Sequence, residues 1–299
     1  MSWLLVAIFA YFCSAIVALF DRYLLTGPIP LPKVYAFYVG ILGILILFLI
    51  PFVNFLIPEL WQIFLSFLAG ALFIFSLLWF LKALQKFEAS RVVPAIGGLT
   101  PLFVFGLTTL IGEEVFTFKT GSAFILLVFG SFFISFEGEK KITLESLQIS
   151  AIAAFLFSLA FFSVKFVYFY LPFWSGFIWT RIGGFILALF FLFSKDVKEE
   201  IFKKKKTFKK KTAGIFLLGQ SFGAGSVILQ NWAIALAPLG VLAFINALEG
   251  TKYIFILILA ILISWKFPQI LKEEFSKKVL IQKIIAISLI GVGLALLTS

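Results

Sequence analysis

The stretch FINALEGTKYIFILI, Phe244 to Ile258, sets Asn246, Glu249, Lys252 and Tyr253 into an otherwise apolar run. Spacings of three and four put these four side chains on one helical face. A carboxylate and an ammonium so placed can neutralise one another or hold opposite charges on a solute. Arg181, Lys165 and Gln220 are further polar groups within or at the ends of apolar runs, and Trp79 joins them as an aromatic wall. With no histidine and Cys13 as the only cysteine, the usual zinc, haem and thiol-nucleophile arrangements are excluded, so no metal and no cofactor are expected. One deep carboxylate also lacks the acid and base partner that catalysis usually needs, so no enzyme is expected.

These residues sit in a chain that is 62% apolar and only 13% charged. Soluble domains are about 45 to 50% apolar, which makes lipid the natural solvent here. Apolar runs near the length of a membrane span recur at 3–20, 34–55, 61–81, 92–111, 115–136, 147–164, 173–194, 213–237, 239–265 and 279–297. The reading is an all-α integral membrane protein with ten transmembrane helices. The first run lacks a basic leader and a small-residue cleavage site, so it is expected to be retained.

A charge at mid-bilayer costs about 2.5 to 3.5 kcal/mol on insertion scales, so it faces protein or a cavity rather than lipid. For Glu249 and Lys252 two readings follow: an intrahelical ion pair that helps packing, or a cavity-facing site. Gly250 between them is expected to loosen the helix, as in carriers with broken helices. Arg181 lies roughly 12 Å into its run at 1.5 Å per residue, too deep for easy snorkelling, and is a substrate or ion-pair residue. Lys165, near the end of the sixth run, either snorkels to the interface or joins the site. Gln220 is placed at a cavity, and Trp79, Trp174 and Trp179 line a cavity or sit in the interfacial belt. Lys165, Arg181 and Lys252 against Glu249 leave a net positive charge, which predicts a solute bearing a carboxylate or phosphate.

Almost all the remaining Lys and Arg residues flank odd-numbered runs at their C-terminal ends, whereas Lys119 stands alone on the opposite side. The positive-inside rule then places both termini outside. The cluster KKKKTFKKK, Lys203 to Lys211, reads as a topology determinant that touches anionic lipid, and no nucleic-acid partner is expected.

Residues 137–146 are polar and divide the chain into 1–136 and 147–299, each with an odd number of runs, so the halves must be inverted. Such internal symmetry typifies secondary transporters, with the site between the halves. Residues 83–135 carry Ala83-Leu84, Ala89-Ser90, Pro94, LTPLF at Leu99 to Phe103, Gly112-Glu113, and glycines at Gly121 and Gly130. This pattern resembles the EamA repeat of the drug/metabolite transporter superfamily, with a worn second copy in AIALAPLGVLAFINALEGTKYIFILILAILIS and in Ile290 to Leu297.

The resemblance implies two inverted five-helix EamA repeats around a central cavity, and secondary transport of small metabolites such as amino acids or phosphorylated sugars by alternating access. A lipid flippase or scramblase of the same fold is the alternative, and an intramembrane enzyme a more distant one. A prokaryotic plasma membrane is expected. Glycines such as Gly291, with Ala295, suit either close packing within the fold or a homodimer contact.

Overall fold

The computed structural model describes residues 2–25, 31–87, 89–111, 117–135, 144–202, 210–266 and 277–298. Gly112, Glu113 and Glu114, linker residues 137–143, and residues 203–209 of the lysine cluster lie outside the described residues, as do the side chains of Arg22 and Pro94.

Among the described residues every element is helical: α1 (Ser2–Leu25), α2 (Pro32–Leu42), a 3-10 stretch (Gly43–Phe52), α3 (Leu60–Lys86), α4 (Ala89–Thr109), α5 (Phe118–Ser135), α6 (Leu144–Tyr170), α7 (Phe173–Phe190), a short 3-10 turn (Phe191–Phe193), α8 (Lys195–Phe202), α9 (Lys210–Leu236), a second 3-10 turn (Leu239–Val241), α10 (Leu242–Ala247), α11 (Gly250–Lys266) and α12 (Lys277–Thr298). Among the described residues six segments are long and apolar enough to cross a membrane, and α4, α5 and α12 carry shorter apolar stretches.

Local chemistry sets the helix starts. Pro32 and Phe173 follow extended residues, and Pro32 sits where a helix has no use for its missing N–H. Thr117 and Thr120 cap α5 reciprocally, each hydroxyl accepting the other's backbone N–H at 2.8 and 3.2 Å.

One feature differs from the sequence expectation. The second run is α-helical only to Leu42 and continues as 3-10 helix through Pro51; no residue of that stretch is buried, so little packing enforces the α geometry there. A short helix, α8, lies between the seventh run and the lysine cluster. The ninth run is split into α10 and α11 at the Gly250 expected to loosen it.

The outer surface is greasy, with Leu5, Phe48, Phe52, Phe64, Phe118 and Phe193 exposed, as a lipid-facing surface requires. The core centres on α10, whose residues Leu242 to Leu248 are all buried, so α10 is enclosed on every side. Helix α1 packs on α9 and α11, α6 packs on α3 and α4, α5 pairs with α12, α2 with α7 and α4 with α10. The α3–α7 crossing depends on Gly70: a Cβ there would collide with the Thr180 carbonyl oxygen and stand 2.7 Å from the Gly184 nitrogen.

Candidate functional site

The split between α10 and α11 occurs beside Gly250, and the backbone tightens across it. The amides of Glu249, Thr251 and Lys252 donate to carbonyls three residues back, at Asn246, Leu248 and Glu249, instead of four. The carbonyls of Ile245 and Ala247 thereby lose their ordinary helical donors. In an apolar medium each needs a replacement. Tyr11 of α1 donates its hydroxyl to the Ile245 oxygen at 2.8 Å, and Ser131 of α5 donates to the Ala247 oxygen at 2.9 Å. Gly250 permits this arrangement, because a Cβ on it would run into the Ser131 side chain and lie 3.0 Å from Ile290 Cδ1. A related contact joins α6 to α4, where the Ser158 hydroxyl lies 3.0 Å from the Thr100 carbonyl oxygen and 2.7 Å from that of Ala154 one turn back.

Glu249 lies in the turn and pairs directly with Lys252 in the first turn of α11. The side chains are 26% and 17% exposed, so the pair is neither in a dry core nor on an open surface. The Lys252 ammonium lies 4.9 Å from the centre of the Tyr253 ring, a cation–π contact. The Tyr253 hydroxyl reaches α4, 3.8 Å from where a Gly97 side chain would begin. Tyr11 interacts with Glu249, Tyr253 and Gln230. Helices α1 and α4 thus pack beside the turn that carries the pair.

The other residues singled out in the sequence are dispersed. Asn246 is buried and donates to the Leu242 carbonyl one turn back at 2.9 Å, so its amide serves its own helix. Lys165 is buried, and its three ammonium donors meet the carbonyls of Ile234 (3.0 Å), Ala235 (3.3 Å) and Ala237. It caps the C-terminus of α9, where the helix dipole favours a cation. Gln220 lies 3.5 Å from the Tyr35 hydroxyl. Trp79 lines an open hollow with Lys82, Gln85, Lys86 and Ile149, beside the Lys86–Glu145 ion pair.

Arg181 stands in a second place. Its guanidinium lies 5.0 and 5.2 Å from the ring centres of Phe73 and Phe177, and its buried Nε has no hydrogen-bond partner. It borders a cleft of about 10 Å³ lined by Val39, Gly40, Gly43, Gly70, Ile74 and Gly184.

Tyr11 and Ser131 are the residues that sequence reasoning missed. A hydroxyl inside an apolar run carries no spacing signal, and only the position of Gly250 hints that freed carbonyls need donors nearby.

No family model matches the chain, and no curated protein matches it. A solved crystal structure is similar over 100% of this chain and 96% of its own, with a TM-score of 0.70 and 14% sequence identity. At that identity the likeness shows the fold alone.

Proposed function

We propose that the chain is a ten-span secondary transporter of the drug/metabolite transporter superfamily, carrying small carboxylate- or phosphate-bearing metabolites by alternating access in a cell membrane. The observation that carries this reading is the interrupted ninth span. It holds a half-buried Glu249–Lys252 pair among helices of both halves, and an interrupted helix with irregular backbone is how carriers place polar groups at membrane depth.

Two inverted five-helix repeats fit the helix neighbours. Exchanging each of the first five spans with its counterpart five later turns the α1–α9 contact into α6–α3, and α1–α11 into α6–α4, while α5–α12, α2–α7 and α4–α10 map onto themselves; the α3–α7 crossing has no α9–α2 counterpart of comparable size. The hydroxyl-to-carbonyl bonds Tyr11–Ile245 and Ser158–Thr100 exchange in the same sense. Both termini face outside in this reading, and the lysine-rich face lies toward the cytoplasm.

The test is thermal stabilisation of the purified protein by a panel of amino acids, organic acids, phosphorylated sugars and nucleotides, on wild type, Glu249→Gln and Lys252→Ala. One acidic class that stabilises wild type and neither variant supports the reading. If nothing binds and both variants merely melt earlier, the pair is structural and lipid becomes the substrate to test.

A further inference from the structure

Three cations lie within or at the ends of the apolar spans, and the structure leaves them in different electrostatic states. Lys165 is committed to three backbone carbonyls, and Lys252 is neutralised by Glu249. Arg181 forms no ion pair and no hydrogen bond among the described residues, and its Nε is buried without an acceptor. The nearby Tyr168 hydroxyl is engaged with the Asn231 side-chain oxygen at 2.9 Å.

Cation–π contact with Phe73 and Phe177 favours the charge of the guanidinium and supplies no acceptor for its N–H groups. An edge formed by Nε and one Nη is the side that accepts a carboxylate through two parallel hydrogen bonds. A buried donor left unsatisfied costs about 1 to 3 kcal/mol, more for a charged group, so an in-plane anion is the complement this group lacks.

The surroundings restrict what can approach. The cleft is walled on three sides by glycines of α2, α3 and α7, and its volume of about 10 Å³ admits roughly one water-sized oxygen. One oxygen of an anion fits there, and a planar carboxylate, with only one more oxygen to place along the fork, asks for less room than a tetrahedral phosphate. Gly43, where α2 gives way to 3-10 helix, lies closest to the Arg181 stem, its missing Cβ 3.9 Å from Cδ.

We infer that Arg181 is the anion-binding group of this carrier and that the substrate offers it a single carboxylate. This rests on the transport reading and narrows it: the Glu249–Lys252 pair contributes no net charge, so the matching solute carries one uncompensated negative charge.

The experiment uses phenylacetate, acetate, phenylacetamide and phenyl phosphate as probes on purified full-length protein, with dissociation constants from calorimetry and melting curves of each unliganded variant. Phenylacetate and acetate are expected to bind wild type, whereas the neutral amide and the phosphate do not. Arg181→Gln is expected to weaken phenylacetate by about 10- to 100-fold, the worth of hydrogen bonds to a charged group. Arg181→Lys retains charge without the fork and falls between. Gly43→Val fills the cleft without touching the charge and is expected to weaken phenylacetate while its unliganded melting stays near wild type. Equal affinity for the amide, wild-type affinity in Arg181→Gln or Gly43→Val, or failure of both carboxylates to bind overturns the inference.

Counterflow of labelled phenylacetate in proteoliposomes separates the two readings. Binding through Arg181 without flux leaves the site and removes the transport reading. Flux that survives Arg181→Gln leaves transport and removes the site.

Discussion

The hydroxyl of Tyr11 on α1 and the carbonyl of Ile245 on α10 are hydrogen-bonded at 2.8 Å across 234 residues of chain. The bond occupies an acceptor that its own helix has released, because the Glu249 amide turns to Asn246 instead. A side chain of the first helix therefore fixes the place where the ninth span breaks. Ser131 of α5 does the same one turn-step later, at Ala247.

Tyr11→Phe removes the hydroxyl and little else, and leaves the Ile245 oxygen without a donor in a buried setting. The expected loss of stability is about 1 to 2 kcal/mol, within the range for a buried group left unsatisfied in a membrane protein. Ser131→Ala is expected to cost a similar amount at the neighbouring carbonyl. Thermal unfolding of the two single variants and the double variant checks this. A double variant as stable as wild type would show that the break needs neither hydroxyl.

Gly70→Ala is expected to disrupt the α3–α7 crossing, since the added methyl meets backbone of α7 that no rotamer change can move. The expected cost exceeds about 1 to 3 kcal/mol, the range for overpacking where side chains can still adjust. Gly106→Ala is the matched control: nothing lies within 4 Å of its added Cβ. There the substitution is expected to be neutral or to stabilise by about 0.4 to 1 kcal/mol through the unfolded chain. Folded yield and melting temperature in one detergent compare the pair.

How far the chain announces this arrangement varies residue by residue. Glu249 and Lys252 stand out because charge is rare in an apolar run, and Gly250 because it falls between them; the structure joins the two charges beside a helix break. Asn246 shares their face by spacing, yet its amide turns back to Leu242, a rotamer choice that packing makes and periodicity does not record. Lys165 finds its acceptors about seventy residues downstream, so its capping role depends on how α6 and α9 meet. Hydropathy is equally blind to the change from α to 3-10 helix at Gly43, because the stretch is apolar throughout and buries no residue, so neither period leaves a pattern. Composition therefore speaks for the lipid environment and the apolar runs, while the hydrogen-bond partners depend on tertiary contacts.

Lys165→Met keeps the apolar stem and removes the ammonium, which leaves three carbonyls at the end of α9 without their donor. Stability is expected to fall by about 1 to 3 kcal/mol. Phenylacetate affinity is expected to stay within about threefold of wild type, less than 1 kcal/mol, because the group is engaged elsewhere. A large affinity loss with unchanged melting would reassign Lys165 to the substrate.

The Glu249–Lys252 pair admits a decisive comparison between structural and functional roles. Removing one partner strands the other charge, so Glu249→Gln and Lys252→Gln are each expected to destabilise the protein by about 1 to 3 kcal/mol, below the cost for fully buried pairs because both side chains retain some exposure. The double variant strands nothing and is expected to recover most of that loss. If the pair serves transport, the double variant melts near wild type and still carries no labelled solute in proteoliposomes. A double variant with both wild-type melting and wild-type flux would make the pair a packing device only.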